Sequence, residues 1–154
     1  MVNNMNERLV CEWLNKKLFK KNNLKLTWDD KFKSWDVFNK NYIGELKHRH
    51  MPYYKYRNEG YILEKLKFTK LIEESENKKK YPDGADILYI NSFDDTAGTI
   101  AIWNLSDLIK KNYSFNWHLK SMKKTTYFSN NSQIKKMISL LKDDIVKVKY
   151  NRYV

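Results

Sequence analysis

Leu9, Val10, Trp13, Leu14 and Leu18 recur at helical spacing, which predicts an amphipathic helix over residues 6–20. Short runs rich in aromatic and β-branched residues follow at 24–28, 32–38 and 42–46, each bounded by polar turn residues, and these predict three strands. Gly60 precedes a pattern that predicts a helix over residues 61–77, with Leu63, Lys67 and Lys70 three or four apart on one side. After the turn Pro82-Asp83-Gly84, residues 85–93 are apolar at Ile87, Leu88, Tyr89 and Ile90 without strict alternation, as expected of a strand covered on both faces. Asp94 and Asp95 read as turn formers leading into a partner strand at 99–103. Further on, the pattern predicts a helix at 132–141 and a strand at 145–150.

With no internal repeat, no evident linker, two Pro and four Gly, the chain of 154 residues reads as a single domain. Its core spans about 6–105, and 106–154 form a basic extension that either completes the core or contacts a partner. The composition, 42% hydrophobic and 15% aromatic, is that of a globular chain. No segment is apolar for the ~18 residues a membrane helix needs. The start Met1-Val2-Asn3-Asn4-Met5 lacks the basic and apolar regions of a signal peptide, so a cytoplasmic location is expected. Cys11 is the only cysteine, which excludes an internal disulfide and a zinc–thiolate cluster; its neighbours Val10, Trp13 and Leu14 suggest a buried helix position. His48, His50 and His118 are too few and too badly spaced to suggest a zinc site, and they receive no metal role.

A net charge of +12 favours a polyanionic partner, although richness in Lys, Asn and Tyr also fits an AT-rich genome. Arg is scarce, at positions 8, 49, 57 and 152 only. Lysine meets phosphate as a point charge, whereas bidentate reading of base edges prefers Arg, so backbone contact is expected to outweigh base readout.

The candidate chemistry lies in the hairpin of residues 34–49. A turn centred between Lys40 and Asn41 sets Asp36 directly opposite Glu45, and residues two apart on a strand share a face, so Asp36, Glu45 and Lys47 project together. Opposed carboxylates repel unless neutralised, which a hard cation with oxygen ligands would do. An acid followed two residues later by Lys also occurs at Asp29-Asp30-Lys31 and Glu76-Asn77-Lys78, but only Glu45-Leu46-Lys47 lies in an apolar run with a second acid at hairpin distance. The plainer reading of the same residues is a salt bridge from Asp36 to Lys47 on a solvated face. Beyond the hairpin, Arg49, Tyr53, Tyr54, Lys55 and Arg57 interleave bases with aromatics, a composition suited to gripping a nucleic-acid strand or to covering the core edge.

The order of a helix with Glu12, then Asp36, then Glu45 and Lys47, then a long helix and a further strand, resembles the PD-(D/E)xK, or restriction-endonuclease-like, nuclease superfamily over residues 6–105. Trp35 stands where that motif has proline. The layout looks most like the small phage and mobile-element members and the Holliday-junction resolvases, and for a phage-encoded chain the location becomes the host cytoplasm. The resemblance implies an α/β fold, a central mixed β-sheet flanked by helices with an αβββαβ core. It implies Mg²⁺ or Mn²⁺ on Asp36 and Glu45, with Glu12 as a further ligand, Lys47 as the catalytic cation, and a polar residue sent towards the site by the long helix, for which Lys67 is the choice; read without the resemblance, Glu12 is a solvated helix glutamate and Lys67 part of a solvated lysine face. Read so, the chain is a metal-dependent DNA endonuclease, with a homodimer left open. The alternatives are a nuclease-fold protein that binds nucleic acid without cutting it, and an interaction protein whose basic face meets an acidic partner.

Overall fold

The computed structural model describes residues 2–27, 35–56, 61–94, 98–115, 117–123, 132–140 and 146–149. Helix α1 (Val2–Lys17) carries Val10, Cys11 and Leu14 inward and ends on Lys16 and Lys17, whose charges suit the carboxyl end of the helix dipole. Asn15 fixes the exit from this helix, its side chain donating to the Leu24 carbonyl at 2.9 Å and accepting from the Leu24 N–H at 2.7 Å. Three antiparallel strands follow: β1 (Lys25–Leu26), β2 (Val37–Phe38) and β3 (Tyr42–Arg49). Asn39 closes the turn between β2 and β3 by accepting the N–H groups of Asn41 and Tyr42 at 2.8 and 2.7 Å, so the turn is centred on Lys40 and Asn41 as expected.

A short helix α2 (Tyr53–Tyr56) lies in the stretch of interleaved bases and aromatics beyond the hairpin. The expected helix over 61–77 divides in two. Residues Tyr61–Glu64 form strand β4, and only Lys65–Ser75 form helix α3. Tyr61, Ile62 and Leu63 are strand formers, and β4 is held by antiparallel pairing to β8 (Ser132–Leu140), the segment that periodicity marks as a helix. Strand β7 (Trp117–Lys123) completes this second, three-stranded sheet in the order β4-β8-β7.

Helix α3 crosses over so that β5 (Asp86–Phe93) runs parallel to β3, in register from Tyr42 against Asp86 to Arg49 against Phe93. Strand β6 (Thr99–Asn104), helix α4 (Leu105–Lys110) and β9 (Val146–Lys149) follow. The central mixed sheet has the order β1-β2-β3-β5-β6-β9. Helix α1, the three strands after it, the crossover helix and β5 reproduce the expected αβββαβ arrangement, with α2 and β4 inserted. Part of the extension therefore completes the sheet.

Each face of the sheet buries its own core. Val10, Cys11 and Leu14 of α1 pack on Leu46, Leu88, Ile90 and Ile100. Phe68 and Leu71 of α3 pack on Ile43, Tyr89, Trp103 and Phe93 on the other face. Strand β5 is thus covered on both sides, as its unbroken apolar run suggests. Gly44 is required where β3 meets β5, because a Cβ there would lie 2.5 Å from the Leu88 carbonyl oxygen. Among the described residues no helix is long and apolar enough to cross a membrane.

Candidate metal centre on the hairpin

The hairpin register pairs Val37 with Gly44 and Phe38 with Ile43, and the Asp36 N–H donates to the Gly44 carbonyl at 2.9 Å. Asp36 consequently lies opposite Glu45, and its Oδ2 accepts the N–H of Leu46 at 3.0 Å. Alternation along β3 turns Leu46 into the α1-side core and sends Glu45 and Lys47 to the face covered by α3.

Glu45 is fully buried, at 0% exposure, and both its oxygens face lysines. Oε1 is 2.7 Å from Lys47 Nζ on the same strand, and Oε2 is 2.6 Å from Lys67 Nζ on α3. Apart from these ammonium groups neither oxygen meets a donor among the described residues. Lys47 and Lys67 remain 42% and 26% exposed, so the cluster opens to solvent through its cations.

Burial is the main force on the Glu45 carboxyl and pushes it up to about 7; Lys47 and Lys67 pull against this, and the Asp36 charge adds to it. For Lys47, burial favours the neutral amine, but Glu45 and Asp36 outweigh it and hold the group above its ordinary value. Glu7 of α1 is also raised, first by burial and then by the charge of Asp36, while Lys47 and Lys67 oppose the shift. The α1 carboxylate that senses this site is therefore Glu7. Glu12 is 62% exposed and pairs with Arg8 one turn earlier at 3.5 Å, so the structure does not bring it to the cluster. The signal that favours Glu7 is its spacing: Glu7, Cys11 and Leu14 follow the i, i+4, i+7 line of the buried stripe, and Glu12 does not.

Asp36 and Glu45, opposed across the ladder and set against two lysines, are hard-oxygen donors of the kind that Mg²⁺ takes one or two of, completing its shell with water and phosphate oxygens. Among the described residues they are not joined by a third carboxylate into a ligand group.

The other expected contact residues divide by position. Arg49 turns along the sheet, donating from Nε to Asn91 Oδ1 at 2.9 Å and from Nη2 to the Tyr89 hydroxyl at 2.8 Å. Tyr53 packs edge-on against Phe93, with centroids 5.4 Å apart. Tyr54, at 59% exposure, and Lys55 face solvent, and Arg57 lies outside the described residues. Beside Asp36 opens a cleft of about 630 Å³ that includes Trp35, Phe38 and Tyr81 together with Lys20, Lys21, Lys25, Lys40 and Lys80, and no carboxylate among the described residues lines it. Lys80 Nζ lies 5.2 Å from the centre of the Trp35 ring. Cys11 is buried, and burial pushes its thiol up to about 11, so it serves as a neutral packing group.

A second cluster, capable of coordinating a metal ion, lies at two histidines and an aspartate to which the sequence reading gives no metal role. One ligand atom each from His48, His50 and Asp94 lies within 4.8 Å of the others. His48 and His50 alternate on β3 and just beyond it, and the parallel register of β5 carries Asp94 alongside. No family model, no curated protein and no solved structure matches this chain.

Proposed function

We propose that this protein is a metal-dependent DNA endonuclease of PD-(D/E)xK type. The observation that carries the reading is the buried Glu45 between Lys47 and Lys67, with Asp36 across the ladder. A cluster that served only stability would gain little from two acids opposed on adjacent strands, because the repulsion must then be offset by further charges. A phosphodiesterase needs both signs.

In this reading Asp36 and Glu45 hold Mg²⁺ or Mn²⁺. The ion, when bound, supplies Lewis acidity and positive charge at the scissile phosphate. Lys67 fixes the Glu45 rotamer by holding Oε2, which leaves the carboxylate pre-set. Lys47 keeps its proton across the neutral range because its two carboxylate neighbours raise its pKa, so it stabilises negative charge developing on phosphate or orients the attacking water. The cleft beside Asp36 supports a nucleic-acid substrate: its lysines suit a phosphate backbone and its rings suit base stacking. Tyr54 and Lys55 offer a second contact of the same kind.

The alternative, a binding protein that does not cut, is favoured by one feature. Lys47 and Lys67 already answer Glu45 without any metal, so the cluster can stand as a closed ion-pair network. Nicking of supercoiled plasmid with Mg²⁺ or Mn²⁺, absent in EDTA, is the result expected of the nuclease. Tight DNA binding with no nicking under either ion would establish the binding protein.

A further inference from the structure

His48, His50 and Asp94 differ in chemistry from the carboxylates of the hairpin. Two imidazoles and one carboxylate suit a borderline transition metal, whereas Mg²⁺ prefers oxygen alone. The geometry points to a transition-metal site of the Zn²⁺ class at these three residues, independent of the Glu45 cluster.

Strand alternation carries the independence. His48 lies on the α1 side of the sheet with Ser92, and Glu45 and Lys47 lie on the α3 side. The His48 ring is already oriented, since Nδ1 lies 2.9 Å from the Ser92 hydroxyl. With Nδ1 engaged there, coordination falls to Nε2, and the hydroxyl contact takes the outer-shell place that commonly sets a ligand imidazole's tautomer. His50 meets His48 edge-on, with ring centroids 5.0 Å apart.

The backbone holds the third ligand. The Asp94 N–H donates to the carbonyls of Arg49 and Met51, both at 3.1 Å, and these residues flank His50. One amide thus ties the start of the Asp94 turn to both sides of the histidine. Ligand atoms on a tetrahedral Zn²⁺ at about 2.0–2.1 Å stand roughly 3.4 Å apart. The 4.8 Å spread closes to that value by side-chain rotation of His50 and Asp94, both of which are exposed. Three protein ligands leave one position for water.

Such a metal clamps the end of β3 to the end of β5. It therefore sets the start of the segment that carries Tyr54 and Lys55.

The test is a titration of metal-stripped full-length protein with Zn²⁺ by calorimetry and with Co²⁺ by visible absorption, in excess Mg²⁺ so that hard-oxygen sites are filled. One equivalent is expected to bind. His50→Ala and Asp94→Asn should each weaken it at least about tenfold, the minimum for a lost ligand when outer-shell losses alone cost that much. Circular dichroism of these two surface variants should match wild type, and Glu45→Gln should bind Zn²⁺ normally. Absence of binding, wild-type affinity in both surface variants, or loss of Zn²⁺ in Glu45→Gln would overturn the assignment. None of these results bears on plasmid nicking with Mg²⁺, so the two sites fail separately.

Discussion

Lys67 of α3 reaches across to Glu45 of β3, with Nζ 2.6 Å from Oε2, and this contact joins the crossover helix to the catalytic hairpin of the proposed nuclease. The pairing depends on the parallel crossover from β3 to β5, which lays α3 on the face that carries Glu45.

Asp36→Asn and Glu45→Gln test the proposed metal ligands. The amide oxygen that the first substitution introduces can still accept the Leu46 N–H, so the turn and the ladder should persist. Nicking in Mg²⁺ should fall by about 10²-fold or more in each variant, as expected when charge stabilisation is removed from a transition state. Wild-type rates in both would remove the hairpin from the mechanism.

Metal-free stability should depend on Glu45. Its folded pKa of about 7 exceeds the ordinary 4.5, so its contribution is complete below 4.5 and is lost as pH rises through about 7. Glu7, also raised, acts in the same direction, and Lys47, held above its ordinary value, does not titrate in this window. Melting temperature in EDTA should therefore decline between about pH 5 and about pH 8. Glu45→Gln should flatten that decline. Lys67→Ala should move it to higher pH, because a cation that favours the Glu45 carboxylate has gone. A rise in stability over this range would contradict the assignment.

How much of this was legible in the sequence follows from whether the controlling contact is local. The hairpin was legible because one turn, closed by Asn39, sets the register that opposes Asp36 to Glu45. Lys67 was within reach only through the resemblance, since spacing alone reads it as part of a solvated lysine face and Leu63, the start of that line, lies in β4. Strand β8 was misread because Ile134, Met137 and Ile138 mimic helical spacing, while its pairing with β4 spans more than seventy residues and leaves no local trace. The same limit hid the second cluster. Alternation places His48 and His50 together, but only the β3–β5 register brings Asp94 to them.

Gly44 gives a test of the strand contact that positions Glu45. In Gly44→Ala the new methyl would meet the Leu88 carbonyl oxygen at 2.5 Å, and that oxygen belongs to a central strand and cannot swing away. Destabilisation of about 1–3 kcal/mol is expected, as for other insertions into packed cores. Urea denaturation reading less than about 0.5 kcal/mol would show that β3 and β5 separate more easily than their pairing implies.

The cleft beside Asp36 predicts salt-sensitive binding. Affinity for duplex DNA should fall with a log–log slope of about −0.9 per phosphate neutralised, and it should vary little with sequence because lysines dominate the contacts. Lys21→Glu combined with Lys25→Glu, both in the cleft, should reduce that slope as well as the affinity. Fluorescence anisotropy at several salt concentrations makes the comparison, and an unchanged slope would place the DNA elsewhere on the surface.

Lys47 must be separated from the many lysines that only supply charge. Its Nζ lies 2.7 Å from Glu45 Oε1, so its removal has two effects: it withdraws an ammonium from the reacting phosphate, and it raises the Glu45 pKa further by deleting a cation that opposes burial. Measuring the rate at rising pH, where Glu45 becomes ionised in either protein, reduces the second effect and isolates the first. Under saturating DNA and Mg²⁺, Lys47→Ala should then cut about 10²-fold or more slowly while its Kd for DNA stays near wild type, the pattern of an interaction made only in the transition state. Lys79→Ala, in the exposed turn after α3, should show the reverse, slightly weaker binding with normal turnover. A Lys47→Ala variant that recovers full rate at high pH would assign this lysine to tuning Glu45, and one that recovers none would assign it to the phosphate.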